Sequence, residues 1–271
     1  MERPYASRQA LGLREASTLS DPEGAGDLAK MGRALRDRTD QLHAVKRDLE
    51  AFAHSMAHDL RAPLRGIASY IRGFIEDHAG SLSPAARETL DQIYAEARRA
   101  ERLITDLAAY SRVGQLPFSA AEIEMAELAR SAFQDLVETR RTPGPTLHLG
   151  SLPPAYGDRA MVRLIWSHLL GNAIKFTQRR PDPEISITAA TEGGWTTYCV
   201  ADNGAGFEPR YAGRLFSVFQ RLHRQEDFEG SGVGLAAVSR LVQRHGGRAW
   251  ADGQTDRGAK IFFSLPIVPR A

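Results

Sequence analysis

The chain has 271 residues, 42% hydrophobic and 25% charged, which is ordinary for a globular protein and long enough for two domains. A formal net charge of +2 gives no concentrated basic face for nucleic acid, and the short clusters Arg140-Arg141 and Arg179-Arg180 read as solvated surface charge. One cysteine, Cys199, excludes an intrachain disulfide, and no apolar run approaches the roughly 18–20 residues that span a bilayer, so a cytoplasmic protein without direct membrane insertion is expected.

Residues 1–26 are polar, Gly- and Pro-containing and aperiodic, and read as a flexible N-terminal arm. From Leu28 the pattern changes. Leu28, Met31, Leu35, Leu42, Val45, Leu49, Phe52 and Met56 fall on alternating three- and four-residue steps, with Arg38 as the polar interruption. That is a heptad seam. The helix cannot bury this stripe alone. It could pack on its own domain, but the length of the pattern favours a parallel dimeric coiled coil over 27–55.

The helix is expected to continue past Pro63 to about residue 76, kinked there because proline lacks the N–H that would bond the Asp59 carbonyl. Residues 77–81 read as a turn. Ser83-Pro84 supplies an N-cap and a first-turn proline. A second helix follows, with Leu90, Ile93, Ala97, Leu103, Ile104, Leu107 and Tyr110 on its apolar face. The two helices form a hairpin over 50–113, and two hairpins would make a dimeric four-helix bundle.

Residues 113–117 look like a linker, placed at 114–118 in the domain division. Beyond it, over 119–271, helices are predicted at 125–138, 158–176 and 233–244, with strands near 184–191, 196–202, 247–252 and 259–265. The fold class is α plus α/β: a helical hairpin followed by an α/β sandwich with helices on one sheet. Cys199 falls in an alternating strand and reads as core.

Three segments carry chemistry. Asp202-Asn203-Gly204-Ala205-Gly206 follows a strand, where glycines permit close backbone approach to a ligand. Gly230-Ser231-Gly232-Val233-Gly234 runs into a helix, aiming N–H groups and the positive dipole end at a phosphate. Neither is a Walker loop, because no Gly-Lys-Ser/Thr is present. His168, Asn172 and Lys175 fall at i, i+4 and i+7 and share a helix face. An amide oxygen there suits Mg²⁺ and an ammonium suits phosphate. Each segment alone is weak, since glycine turns are commonly just turns and polar stripes commonly face solvent. Their order and spacing together are far more specific.

Together they resemble the N, G1 and G2 boxes of the Bergerat ATP-binding fold shared by histidine kinases, DNA gyrase, Hsp90 and MutL. Leu215-Phe216-Ser217-Val218-Phe219-Gln220-Arg221 resembles the F box of the histidine kinase branch. Ala57-His58-Asp59-Leu60-Arg61-Ala62-Pro63-Leu64-Arg65 resembles the H box of HisKA-type kinases. The heptad phase agrees independently: with Leu49 and Met56 at a, His58 falls at c, off the seam. An exposed helix histidine alone would be unremarkable, and His54 is exposed too but lacks the following acid and proline. The resemblance covers roughly 50–265.

It implies ATP with Mg²⁺ at Asn172, Lys175 near the phosphates, and Asp202 accepting the adenine amino group. Gly204 and Gly206 would shape that pocket, and Gly230, Gly232 and Gly234 would line the triphosphate. Phe216 and Phe219 would belong to the nucleotide site. Arg221 would face the transferring phosphate from a lid. His58 would be the phosphoacceptor and Asp59 its general base. The partners implied are a second copy of the chain and the receiver domain of a response regulator, whose aspartate takes the phosphoryl group.

The H-box pattern also resembles the transmitters of bacterial phytochromes and PAS-linked soluble kinases. No chromophore or PAS-like domain fits in residues 1–50. The signal is therefore expected from an upstream sensor protein in trans, or the chain is a fragment of a longer sensor.

Two departures carry meaning. His168 stands where gyrase- and Hsp90-like ATPases have a water-activating Glu, so free hydrolysis should be poor, and His168 would contact the nucleotide site indirectly. Ala62 stands where phosphatase-active kinases carry Thr or Asn, so phosphatase activity should be weak. The alternatives are a nucleotide-binding scaffold without kinase activity and a gyrase- or Hsp90-like ATPase. The missing Glu and a short lid, about 207–229, weigh against the latter. His43, His78, His148 and His223 read as surface residues, and His245 as a partly protonated helix C-terminus. No metal cluster is expected beyond the Mg²⁺ that accompanies ATP.

Overall fold

The computed structural model describes residues 22–114, 116–138, 140, 144–223 and 227–268, with backbone alone for 22–29, 43, 46–47, 50 and 53–54. The arm expected over 1–26 thus falls mostly outside the described residues, as does the side chain of His54. By contacts the chain divides between Asp48 and Leu49.

The described part of the first unit belongs to helix α1, Pro22–Asp77. Its seam residues Met31, Leu35, Leu42 and Val45 are 65% to 69% exposed. Among the described residues nothing covers this stripe.

The second unit begins with the rest of α1, where Leu49 and Phe52 continue the exposed stripe. Pro63 lies inside the helix without ending it. Ser81 and Leu82 N–H both bond the His78 carbonyl, at 2.9 and 3.1 Å, and close the turn. Helix α2, Pro84–Val113, is capped by Ser83, whose side chain accepts from the Ala86 N–H at 3.2 Å. This is the cap the Ser-Pro pair predicted. Arg72 on α1 donates to the Tyr94 hydroxyl on α2 and lies over its ring. Fourteen residues back along α1 and fourteen forward along α2 bring His58 level with Ala108, to within about one helical turn. Ala57 and Ala108 are both buried.

The remaining residues form the α/β layer. Its five-stranded sheet has the order β2-β4-β5-β7-β6, with strands β2 (Thr146–Leu149), β4 (Glu184–Glu192), β5 (Trp195–Asp202), β6 (Ala249–Gln254) and β7 (Gly258–Pro266). β2 joins β4 in parallel and the other pairs are antiparallel. A second, two-stranded sheet pairs β1 (Ala120–Ile123) with β3 (Ala155–Asp158). The sequence predicted one sheet and none of β1, β2 or β3.

Helices α3 (Met125–Glu138), α4 (Arg159–Thr177) and α5 (Gly234–Arg244) pack with these strands around one core. At its centre Trp166 meets Tyr198 and Phe263 edge-on at 6.0 and 5.1 Å. Burial drives the Tyr198 hydroxyl pKa upward, and the hydroxyl donates to the Pro153 carbonyl at 2.6 Å. Cys199 is buried, as its strand alternation predicted.

Helix α4 starts at a well-tied cap. The Asp158 carboxylate accepts from the N–H groups of Met161 and Ser119 at 3.0 and 2.9 Å. Burial opposes its ionisation, but bonds from Ser119, Met161 and Ala160 outweigh it and hold its pKa below the ordinary value. The Asp158 N–H donates to His245 Nε2 at 3.0 Å, while His245 Nδ1–H donates to the Leu241 carbonyl at 2.8 Å. His245 is therefore a buried neutral ring with its tautomer set, not the partly protonated end-cap that its sequence position suggested. Burial lowers its pKa.

Candidate functional site

A cavity of about 610 Å³ opens between α4, the end of β5, loop residues 206–223 and 228–233, and the last turns of α2. Helix α4 supplies its floor because His168, Asn172 and Lys175 share one face, while Val162, Ile165, Trp166 and Leu170 turn into the core. Three of the predicted segments thus converge: His168, Asn172 and Lys175, then Asp202 and Gly206, then Gly230, Gly232 and Gly234. Arg221 lines the same cavity and donates to the Phe228 carbonyl at 2.8 Å.

The electrostatics grade from one end to the other. Burial lifts Asp202 to a pKa of about 6, against the pull of the Gly204 and Ala259 N–H groups and the Arg180 charge. Burial also lowers the Lys175 pKa, helped by the Arg221 charge. Two cations facing one cavity disfavour each other and favour a polyanion between them. Burial lowers the His168 pKa as well, with the Asp106 charge on α2 opposing it. His168 is thus a neutral ring at the wall shared with α2.

Glycine is required where backbones nearly touch. A Cβ on Gly206, at φ +61°, would lie 1.9 Å from the Gln254 carbonyl oxygen. A Cβ on Gly232, at φ +75°, would meet the Gln220 carbonyl at 2.7 Å. The Phe219 N–H bonds the Gly232 carbonyl at 3.1 Å and fastens the F-box segment to the second glycine loop.

Several predicted residues stand elsewhere. Phe216 packs against the hydrophobic core and Phe219 is 49% exposed, and neither lines the cavity. Gly204 also lies off the cavity wall. Its N–H bonds the Asp202 carboxylate at 2.9 Å, so it orients Asp202 from behind. These segments match motifs as wholes, and spacing alone does not say which member faces inward.

The sequence reading missed His223, Phe176 and Phe228. His223 Nε2–H donates to the Gly206 carbonyl at 2.8 Å, and its ring lies 5.3 Å from Phe176 and 5.2 Å from Phe228. His223 is therefore part of the cavity wall, not the surface residue expected. Its place two residues after Arg221 was the available signal. Arg179 and Arg180 are likewise not merely solvated. Arg179 pairs with Asp227 at 2.8 Å, and Arg180 donates to the Gly204 and Asp256 carbonyls at 2.9 and 2.5 Å.

The second chemical centre is on α1. His58 and Asp59 side chains are 79% and 69% exposed, and His58 Nδ1 lies 3.2 Å from Asp59 Oδ1. With Nδ1–H directed at the carboxylate, Nε2 carries the lone pair. Among the described residues no group of three His, Cys, Asp or Glu could hold a metal ion. Asn172 lines the cavity, and a side-chain amide oxygen is a hard donor of the kind divalent cations take.

The comparisons with known proteins agree with this arrangement. Residues 48–116 match the His Kinase A (phospho-acceptor) domain, and residues 157–269 match the histidine kinase-, DNA gyrase B- and HSP90-like ATPase domain. The chain is 27% identical over 264 residues to the phytochrome-like protein Cph1 of Synechocystis, covering 96% of this chain and 34% of that protein. It is 32% identical over 242 residues to the methanogenesis regulatory histidine kinase FilI of Methanothrix harundinacea, covering 89% and 27%. Among solved structures, full-length ShkA in complex with AMPPNP is similar at a TM-score of 0.57 and 26% identity, over 82% of this chain and 46% of that one. The chain belongs to the sensor histidine kinases. It spans about a third of the length of the curated relatives it matches.

Proposed function

We propose that this chain uses ATP to phosphorylate its His58 and then passes the phosphoryl group to an aspartate of a response-regulator receiver domain. The observation that carries this reading is the cavity's place. One wall includes Asp106 and Tyr110 of α2, the turn that stands level with His58 across the hairpin. Asp202 accepts the adenine amino group, and Lys175 and Arg221 counter the phosphate charge. The Asn172 amide oxygen would hold the Mg²⁺ that accompanies ATP, which neutralises phosphate charge when bound.

The transfer balances simply. Asp59 takes the Nδ1 proton as His58 Nε2 attacks the γ-phosphorus in line. An N–P bond forms, the bond to the bridging oxygen breaks, and ADP leaves. His168 stands where a water-activating glutamate would stand, which supports transfer to protein over a gyrase-like hydrolysis.

The exposed stripe on α1 supports a homodimer through a parallel coiled coil, completing a four-helix bundle. The division into a coiled-coil helix over 27–55, a phosphoacceptor hairpin over 50–113 and a catalytic domain over 119–271 belongs to the same proposal, as does input from an upstream sensor. No helix among the described residues is long and apolar enough to cross a membrane, and the cytoplasm is the proposed compartment. Ala62 gives no hydroxyl or amide to orient a water, so phosphatase activity is proposed to be weak.

The test is incubation with γ-labelled ATP. Wild type should gain acid-labile label, His58→Ala none, and Asp59→Asn should slow by about 10²-fold. An unlabelled wild type that binds nucleotide would instead favour a scaffold, and steady ATP turnover without phosphoprotein would favour an ATPase.

A further inference from the structure

Helix α5 carries two arginines that the nucleotide cavity does not use. Neither Arg240 nor Arg244 lines it. Both turn to the end of α2. Arg240 Nη1–H donates to the Tyr110 carbonyl at 3.3 Å, and its guanidinium lies 5.0 Å from the Tyr110 ring centre. Arg244 donates through Nη1 to the Val113 carbonyl at 2.7 Å and through Nη2 to the Leu116 carbonyl at 2.6 Å.

The Tyr110 and Val113 carbonyls are among those a helix end leaves without intrahelical donors, and Leu116 lies just beyond the cap. The Gly114 N–H turns to the Ser111 carbonyl at 3.3 Å, so the Tyr110 carbonyl takes Arg240 in place of the usual i+4 partner. A cation there also meets the negative end of the helix dipole. Arg244 spans two carbonyls with one planar fork, which a lysine cannot reproduce. The segment after α2 is tied down as well. Phe118 meets the His245 ring edge-on at 4.9 Å, and the Ser119 N–H bonds Asp158 at 2.9 Å.

We infer that Arg240 and Arg244 are positioning residues for phosphoryl transfer: they clamp the ATP-binding domain onto the last turn of α2 and hold the nucleotide cavity at the height of His58. The inference rests on the proposed kinase reading. The physical reason is effective concentration. A short unclamped linker lets the domain sample many orientations, and few of them bring a bound γ-phosphate in line with a histidine. The clamp removes that freedom without touching the nucleotide. It therefore acts on the rate of transfer and not on nucleotide binding.

The test compares the full chain with Arg244→Ala, Arg244→Lys and Arg240→Ala. Three quantities are read: the autophosphorylation rate at saturating ATP, nucleotide affinity, and the thermal midpoint. Arg244→Ala should lose about tenfold in rate, from two charge-assisted hydrogen bonds, with affinity within about twofold of wild type. Arg244→Lys should recover part of the rate. If Arg244→Ala fails to fold, Arg240→Ala carries the test, with a loss of about threefold. An unchanged rate in a labelled wild-type background overturns the clamp alone. A faster rate overturns it too, by making the contact a brake. An equal loss of affinity and rate reduces the arginines to structural support. A wild type that takes no label overturns the kinase reading itself.

Discussion

Replacing Asp202 by asparagine separates what the carboxylate costs the fold from what it does for the nucleotide. Burial raises its pKa from 3.8 to about 6, which at about 1.4 kcal/mol per pKa unit is about 3 kcal/mol. Between those values the folded domain keeps a proton that the unfolded chain has released. The stability contributed by Asp202 is therefore fully present below pH 3.8 and is lost as the pH rises through about 6. At pH 7.5 the fold carries a buried, ionised carboxylate at that cost. Asparagine has nearly the same shape, keeps an acceptor for the Gly204 N–H, and has no charge to desolvate. Weakening the backbone bonds costs it about 1 kcal/mol. Asp202→Asn should thus stabilise the nucleotide-free protein by about 2 kcal/mol at pH 7.5 and by almost nothing at pH 4.5.

The assay is urea unfolding of both proteins at the two pH values. Burial lowers the pKa of both His168 and His245, which drives stability the other way, down as the pH falls below 6.5. The difference between the two proteins cancels those contributions. Nucleotide affinity should fall by at least about tenfold in the same variant, because a charge-assisted acceptor is lost. Equal stability at pH 7.5, or an equal gain at both pH values, would refute the reasoning.

Other substitutions test separate links. Gly206→Ala forces a Cβ to within 1.9 Å of the Gln254 carbonyl at φ +61°, and should cost about 3 kcal/mol or more in denaturant unfolding, with nucleotide binding lost. Leu42→Asp places a charge in the exposed α1 seam and should convert a dimer to monomer in sedimentation without changing the α/β domain's unfolding. A chain already monomeric at micromolar concentration would remove the coiled-coil proposal. Ala62→Thr should raise dephosphorylation of a phosphorylated receiver by about tenfold or more, while a wild type that already acts quickly and is unchanged by the substitution would remove the proposed weakness.

Local spacing made much of this protein legible. Heptad steps, a Ser-Pro cap, and glycines at the mouths of a strand and a helix are properties of neighbouring residues, and they located α1, α2 and three segments of the cavity. Four-residue strands such as β3 carry too little alternation to be seen, and β3 exists because Ala120–Ile123 pairs with it from far along the chain. Motif membership also misled at Phe216, Phe219 and Gly204. Packing decided which face of each segment turned inward.

Histidines mark the division most clearly. The heptad phase of α1 by itself put His58 off the seam with an acid beside it, because a helix repeats its directions every few residues. For His223 the sequence offered only its place two residues after Arg221, and for His245 only a helix end, and neither indicates burial. His223 became part of the nucleotide cavity when Gly206, Phe176 and Phe228 arrived from other elements. His245 became a neutral internal acceptor when the Asp158 N–H did. Folding likewise set Arg240 and Arg244 of α5 against the end of α2. A residue's direction follows from its own helix, but its protonation and its partners are set by groups that folding alone brings near.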